Sequence, residues 1–240
     1  MLENLKSAKA LTFDLFGTVL DLQGSLTPPL TVLLREAGCR ETPQAFWQQL
    51  RHRQRIEQYQ DSLLQLGHSG YLETVEKAFH YVCRLNGWNP TGREVAAWME
   101  AWKELTPFPE VRDGLQRLRQ RYRLIAFSNG NPWFLEHLTR NRIRFEFDAV
   151  ISVESAGAFK PHPGTYRRTA RELNLEVSQL IMISSNSFDV MGSRACGLNA
   201  VWVDRYGLPY EQTVDLYQPD LIVHDFTGLA DALLAEDPGQ

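Results

Sequence analysis

Residues 10–16 constrain the fold of this chain more than any other segment. They form an apolar run of aliphatic and aromatic side chains, which Asp14 interrupts and Gly17 ends. Such a run is typical of a buried strand. Asp14 is therefore predicted at the carboxyl end of a strand, where open α/β sheets bind their ligands. A carboxylate there can act as a nucleophile and form a covalent intermediate, whereas Phe16, two residues further on, cannot transfer a proton.

Similar runs recur along the chain, at residues 124–128, 149–154, 180–185, 200–204 and 221–224. Helical patterns separate the later runs, and Val111, Leu115 and Leu118 have the i, i+4, i+7 spacing of one helix face. The alternation of strands and helices is typical of a parallel sheet covered on both faces. The sequence thus predicts an α/β fold with a Rossmann-like parallel sheet core and helices on both faces.

A long stretch between the first two strands has only helical patterns. The apolar positions of one helix face there are Tyr71, Val75, Phe79 and Val82. Thr42 followed by proline fits a helix N-cap and first position. We interpret residues 22–104 as an inserted α-helical cap subdomain. Residues 1–21 and 105–240 then form the α/β core, with a return hinge at residues 106–109.

The composition limits the partners and the compartment of the protein. With 25 basic and 29 acidic residues, the net charge of −4 gives no electrostatic basis for binding nucleic acid or an anionic membrane. Three cysteines without a CxxC pair argue against a disulfide framework, and the six histidines lack metal-ligand spacing. The sequence lacks a signal-peptide core and any apolar run of about 18 residues. We expect a cytoplasmic protein that needs no metal or cofactor and has no nucleic-acid or membrane partner.

Polar groups gather where the predicted strands end. They are Asp14 and Thr18, then Ser128 and Asn129, then Lys160, and finally Ser184, Asn186 and Asp189. Each has an ordinary explanation when taken alone: Ser-Asn-Gly is usually a turn, a lysine before a proline is usually a loop residue, and Asp189 fits the first turn of a helix. Because they follow successive strand ends in order, a shared site is the better interpretation.

The order and spacing of these groups resemble the haloacid dehalogenase superfamily over nearly the whole chain. The four motifs are DLFGT at 14–18, SNG at 128–130, KP at 160–161 and SSNSFD at 184–189. Most members are Mg²⁺-dependent phosphatases, which carry a second aspartate two residues after the nucleophile and Gly-Asp in the fourth motif. This chain has Phe16 and Ser184-Ser185 there. With those replacements it resembles the L-2-haloacid dehalogenase branch, whose fourth motif reads Ser-Ser-Asn-x-x-Asp.

The resemblance implies hydrolysis of short L-2-haloalkanoic acids to 2-hydroxy acids of inverted configuration, through an ester on Asp14. The chemistry agrees with this, because a departing halide is a stable anion and needs no acid to protonate it. An aromatic ring at position 16 would exclude water and strengthen the electrostatics at the carboxylate. The resemblance also implies a homodimer formed through the cap.

The resemblance further implies roles for individual residues. Lys160 and Ser128 would hold the substrate carboxylate, helped by backbone N–H groups beside Leu15 and Asn129, and Asp189 would orient the hydrolytic water. The hydrogen-bonding residues that hold the site together would be Thr18, Ser184 and Asn186. Tyr166 matches a family tyrosine near the substrate carboxylate, although a tyrosine on that helix, taken alone, is more often a core residue.

The cradle for the departing halide is implied to include a cap arginine. Arg51 fits best, with Arg53 and Arg55 as competitors, because the insert before them is longer than the usual pattern. By default, two of the three lie on a solvated helix face. Asn129 and Phe188 could complete the cradle, and a tryptophan is commoner in the family at the position of Phe188.

Two other functions are compatible with the motifs. A phosphatase without the usual acid would need a substitute, and His162 is the nearest histidine in sequence. A non-catalytic binding protein is the second alternative, against which the intact charged set of Asp14, Lys160 and Asp189 argues. A serine hydrolase is excluded, because no Gly-x-Ser-x-Gly elbow follows any predicted strand.

Overall fold

The computed structural model describes residues 5–235 of the chain. The strands are β1 (Ala10–Phe13), β2 (Leu20–Asp21), β3 (Thr106–Pro107), β4 (Arg123–Ser128), β5 (Ala149–Ser152), β6 (Leu180–Ser184), β7 (Asn199–Val203) and β8 (Leu221–Val223). The α-helices are α1 (Leu22–Glu36), α2 (Pro43–Leu63), α3 (Tyr71–Leu85), α4 (Gly92–Lys103), α5 (Val111–Leu118), α6 (Pro132–His137), α7 (Pro163–Glu172), α8 (Ser187–Ala195) and α9 (Phe226–Leu234). The two ends of the predicted core domain, residues 1–4 and 236–240, lie outside the described part.

All six predicted strands form one parallel sheet, in the order β5-β4-β1-β6-β7-β8. Because β1 lies centrally, between β4 and β6, its carboxyl end is flanked on both sides. Phe13 pairs with Ala126 on one side and with Ile183 on the other. Asp14, the next residue, therefore lies level with the carboxyl ends of both neighbours.

Helices cover both faces of the sheet, as predicted. Side chains alternate between the two faces of a strand, and neighbouring residues of β4 enter different clusters: Leu124 joins the core shared with α5 and α9, while Ile125 joins the core shared with α7 and α8. The predicted helix face of Val111, Leu115 and Leu118 is buried in the first of these cores. The predicted α/β architecture is thus confirmed.

The segment between β1 and β4 is mainly helical and consists largely of α1–α4. Helix α2 begins as predicted, because the Thr42 hydroxyl accepts from the Ala45 N–H and Pro43 occupies the first turn. The four predicted apolar positions of α3 are buried. The expectation of a purely helical segment was wrong at its end, since β3 pairs with β2 in an antiparallel ribbon. Two-residue strands are too short to give a sequence pattern.

This ribbon joins the two places where the chain passes between the sheet and the helices. The division into a core domain and a cap domain at residues 22–104 stays a prediction, and the ribbon lies next to both of its boundaries. Below, the word cap is only a name for helices α1–α4 with their connecting loops, and core is a name for the six-stranded sheet with the helices that pack on it. Between residues 5 and 235 no helix is both long and apolar enough to cross a bilayer.

Candidate active site

The chain turns sharply after β1 and leaves Asp14 at the sheet edge. Gly17 has φ +86°, in the left-handed region that glycine adopts without strain. The turn is closed by the Leu15 carbonyl, which accepts from the N–H groups of Val19 at 3.1 Å and Leu20 at 2.8 Å. As a result, the strand ends at Phe13, and the Asp14 carboxyl projects into the space beyond the sheet.

Lys160 bridges the two predicted carboxylates. Its Nζ lies 3.2 Å from Asp14 Oδ1 and 2.8 Å from Asp189 Oδ2, and it also donates to the Phe127 carbonyl at 3.0 Å. All three charged side chains are buried. Residues from three separate motifs thus meet, and their charges partly compensate one another in a region that excludes water.

Burial and neighbouring charges act in opposite directions on these groups. Burial raises the pKa of Asp14; the Lys160 charge lowers it, and the Asp189 charge raises it further, so the net direction is upward. Burial alone would lower the pKa of Lys160, but the two carboxylates outweigh it and raise that pKa. The lysine is therefore a permanent cation at neutral pH.

Hydrogen bonds fix the second oxygen of Asp14. The Thr18 hydroxyl and the Asn186 amide both donate to Oδ2, each at 2.9 Å. Thr18 Oγ1 in turn accepts from the Ser185 N–H at 2.9 Å, and Ser184 Oγ accepts from the Asn186 N–H at 3.1 Å. These contacts leave the carboxyl in one orientation, facing the cavity.

Three residues that the sequence analysis placed near the substrate do not line the cavity. Tyr166 is fully buried, and its hydroxyl donates to Asp189 Oδ1 at 2.6 Å. Burial and the adjacent Asp189 charge raise the pKa of Tyr166 well above its usual value, so it stays a donor. Ser128 is also fully buried, and among residues 5–235 its Oγ has no hydrogen-bond partner. The Leu15 side chain is fully buried as well.

The cap supplies the opposite wall through one face of α2. Arg51, Gln54, Arg55 and Gln58 are spaced i, i+3, i+4 and i+7, which places them on the same side of a helix. All four line one cavity beside Asp14. The other lining residues are Asp14, Phe16, Tyr71, Asn129, Lys160, Asn186, Phe188 and Asp189.

The structure separates the three candidate arginines. Arg53 points away from the cavity: it pairs with Glu57, with Nε to Oε1 at 2.9 Å, and lies 4.2 Å from the centre of the Tyr81 ring. Arg51 donates to Gln54 and, at 3.4 Å, to the Tyr71 hydroxyl. Arg55 lies over Phe188, 5.3 Å from the ring centre, and burial lowers its pKa, with the Arg51 charge acting in the same direction.

An aromatic stack closes the cavity beside Asp14. The rings of Phe16 and Tyr71 are nearly parallel, with centres 4.0 Å apart, and Phe134 lies behind Phe16 at 5.9 Å. Sequence reasoning took Tyr71 only as part of an apolar helix face and passed over Gln54 and Gln58. A signal for the two glutamines was nevertheless present in the sequence. In α2, polar residues recur at helical spacing after the first turns, which are apolar.

Asn129 joins the cap and the core at the cavity floor. Its Oδ1 accepts from the Lys160 N–H at 2.9 Å, and its Nδ2 donates to Gln58 at 3.4 Å. Phe188 meets Tyr59 edge to face, with ring centres 6.3 Å apart. Both residues line the cavity.

A Mg²⁺ ion does not fit the donor set of this cavity. Magnesium needs several oxygen ligands, and the lining carboxylates are only Asp14 and Asp189, both already engaged by Lys160 Nζ. Within residues 5–235, no three His, Cys, Asp or Glu side chains lie grouped as metal ligands.

The fold and this site are typical of a class of α/β hydrolases with an aspartate at the end of a central strand, facing helices inserted after that strand. The family described as haloacid dehalogenase-like hydrolase matches residues 8–197. This chain belongs to that family. A haloacetate dehalogenase of Moraxella sp. (strain B) is 30% identical over 227 residues, which cover 92% of this chain and 98% of the relative.

Two further comparisons agree. An (S)-2-haloacid dehalogenase of Xanthobacter autotrophicus is 30% identical over 198 residues, covering 82% of this chain and 75% of the relative. A crystal structure of an L-2-haloacid dehalogenase superposes with a TM-score of 0.87 at 26% identity, covering 95% of this chain and all of the other. The predicted superfamily and its dehalogenase branch are thus confirmed as the protein's relatives.

Proposed function

We propose that this protein hydrolyses short (S)-2-haloalkanoic acids to 2-hydroxy acids of inverted configuration. The supporting observation is the surroundings of Asp14: an oriented, buried carboxylate with a cation beside it and an aromatic stack where phosphatases carry a proton donor. The family relatives named for haloacid hydrolysis favour the same reaction.

In the first step, an Asp14 oxygen attacks C2 from the face opposite the halogen. The C2–halogen bond breaks, its electron pair leaves with the halide, and an ester forms between C2 and Asp14. Arg51 is the proposed halide contact, because its guanidinium lies on the wall next to the aromatic stack. Phe188 and Asn129 complete this cradle.

In the second step, water attacks the carbonyl carbon of the Asp14 ester, which restores the carboxylate and releases the 2-hydroxy acid and a proton. Asp189 is the proposed residue that orients the water, since it lines the cavity and Tyr166 and Lys160 hold its two oxygens. Lys160, Ser128 and the backbone beside Leu15 and Asn129 are proposed to hold the substrate carboxylate. Ser128 does not line the cavity, and its proposed role is supported only by its Oγ, which has no hydrogen-bond partner among residues 5–235.

The phosphatase alternative is weaker. Its substitute acid, His162, is exposed, and Nδ1 accepts from the Gly164 N–H at 3.1 Å at the start of α7. It is not among the residues that line the cavity. A purely binding role is disfavoured because the Asp14–Lys160–Asp189 set is intact and oriented.

A cytoplasmic location and a homodimer formed through the cap are proposed from the family resemblance. Analytical ultracentrifugation of the full chain tests the second: a single species of one chain mass would contradict it.

Halide release from each enantiomer of 2-chloropropionate, with EDTA present, tests the function. We expect chloride from the S form only, D-lactate as product, and no release by Asp14→Asn. A parallel assay with p-nitrophenyl phosphate and Mg²⁺ is the control. Phosphate release without chloride release would contradict the proposal and favour the phosphatase.

A further inference from the structure

Two arginines of helix α2, Arg51 and Arg55, face the cavity one helical turn apart. Neither forms a salt bridge with a carboxylate within the part of the chain that the structure describes, whereas Lys160 contacts two. The Glu211 charge acts on Arg55 from a distance. The Glu211 carboxylate is hydrogen-bonded to Ser187 instead, accepting from its Oγ at 2.8 Å. The cavity wall therefore has two cations without a paired anion.

The two arginines differ in their surroundings. Arg51 is part-buried and is held by Gln54 and the Tyr71 hydroxyl, next to the stack beside Asp14. Arg55 is more exposed and rests on the Phe188 ring. Since a departing halide carries a single negative charge, the cation of Arg51 is enough to balance it, and the charge of Arg55 is left over.

Arg55 lies where the cavity meets a larger and more open groove. The residues that line both spaces are Phe16, Arg51, Arg55 and Asn186. The groove wall is mixed: Gln44, Gln48 and His52 lie beside Trp47 and Leu208. A substituent on C3 of a substrate that points out of the cavity would therefore pass Arg55. An alkyl group there would only remove water from the guanidinium, whereas a carboxylate would pair with it.

We infer that Arg55 selects 2-halo acids with a second carboxylate at the far end, such as 2-chlorosuccinate. This inference rests on the proposed function and uses the same chemistry: 2-chlorosuccinate and water give 2-hydroxysuccinate, chloride and a proton. Arg55 forms the bidentate ion pair with the distal carboxylate, while the reacting end of the molecule stays at Asp14. The class of reaction that consumes this product is one that acts on 2-hydroxy dicarboxylates.

The test compares kcat/KM for 2-chlorosuccinate with kcat/KM for 2-chloropropionate, as a ratio. We expect the wild-type ratio to exceed one, and Arg55→Leu to lower it by about 10- to 100-fold, the range of a lost charge-assisted bond. Arg55→Lys retains the positive charge, and we expect it to retain most of the wild-type ratio of the two kcat/KM values. Arg53→Leu is the matched control, because it removes a cation from the same helix on the side facing Tyr81, and it should leave the ratio unchanged.

The outcomes separate the two proposals. Chloride from 2-chloropropionate but not from 2-chlorosuccinate would overturn the dicarboxylate inference alone. Equal losses on both substrates in Arg55→Leu would also overturn it, because Arg55 would then hold the reacting carboxylate common to both. If the wild-type protein releases chloride from neither substrate, both the dicarboxylate inference and the proposed function are overturned. Calorimetric titration with succinate and propionate gives a readout without turnover: succinate should bind about tenfold more tightly to wild type, and equal affinities would contradict the inference.

Discussion

At the scale of single residues, the site depends on one buried cation between two buried carboxylates. Lys160 is 1% exposed and lies within 3.2 Å of both Asp14 and Asp189. Desolvation makes each of these charges costly alone, and only the three together are tolerable. Removing the lysine leaves two carboxylates facing each other without a counterion.

Lys160→Met is therefore expected to lower the free energy of unfolding by about 3 to 5 kcal/mol and to abolish activity. Urea unfolding at pH 7 measures the first effect. Lys103→Met is the matched control, since Lys103 pairs with Glu100 on an exposed helix surface and should cost less than about 1 kcal/mol. Equal losses in the two variants would show that the buried charge set adds nothing to stability.

The raised pKa of Asp14 has a kinetic consequence. The nucleophile must be ionised, so kcat/KM falls as pH falls through the pKa of Asp14 in the free enzyme. Because burial raises that pKa, we expect the acid limb to lie above the ordinary aspartate value of about 3.9. Initial rates of chloride release between about pH 4 and 8 measure it, with unfolding followed at each pH as the control. A midpoint at or below the ordinary value would contradict this account.

At the scale of elements, a turn and a helix face position the chemistry. The turn at Gly17 ends β1 and directs Asp14 outward, while the Tyr206 hydroxyl donates to the Gly17 carbonyl at 3.2 Å. Helix α2 begins as a core helix, with Phe46, Trp47 and Leu50 buried, and then presents its polar face to the cavity. A single helix thus packs into the cap with its first turns and lines the site with its later ones.

Gly17→Ala tests the importance of the turn. A left-handed φ costs an alanine about 1 to 2 kcal/mol, and relaxation of the turn would move Asp14, so we expect at least a tenfold loss of kcat, on the order of what small misplacements cause. Gly87→Ala is the control: it has φ +71°, lies in open space within the cap, and should lose similar stability without losing activity. Full activity in Gly17→Ala would argue against a positioning role for the turn.

At the scale of the whole molecule, the site is shared between the sheet and the cap. His68, in the loop after α2, meets the core twice: Nε2 is 3.0 Å from the Asn129 carbonyl oxygen, and the ring stacks on Phe159 with centres 3.8 Å apart. Nearby, the Tyr71 N–H donates to Asn131 Oδ1 and the Phe159 N–H to Ser62 Oγ, each at 3.0 Å. These contacts hold the cap over Asp14.

Burial lowers the pKa of His68, so the folded protein favours the neutral imidazole. The stability that neutral His68 contributes is fully present above the pKa of histidine in the unfolded chain, about 6.5. It is lost as the pH falls from there through the lower pKa of His68 in the folded protein. The difference in unfolding free energy between wild type and His68→Gln should therefore shrink on acidification. His80→Gln, on the exposed surface of α3, is the control. A difference that grows at low pH would contradict the assigned direction.

Much of this organisation could be predicted locally. The alternation of apolar runs and helical patterns indicated the parallel sheet, because a buried strand and an amphipathic helix each have their own periodicity. The position of Asp14 followed from the glycine that ends its strand, and Phe16 in place of an acid indicated the chemistry. These features depend on neighbours within a few residues of the chain, which the sequence displays directly.

Only the tertiary structure decided which side chains face the cavity. It turned Arg53 outward while Arg51 and Arg55 line the wall, placed Tyr166 behind Asp189, and brought Tyr71 onto Phe16. The sequence determines the polar and apolar faces of α2. Which face meets the sheet depends on how the cap packs on the core, through contacts between distant residues such as Gln58 and Asn129, which are 71 residues apart in the chain. No local pattern contains that information, because it is set by the packing of elements that are distant in the chain.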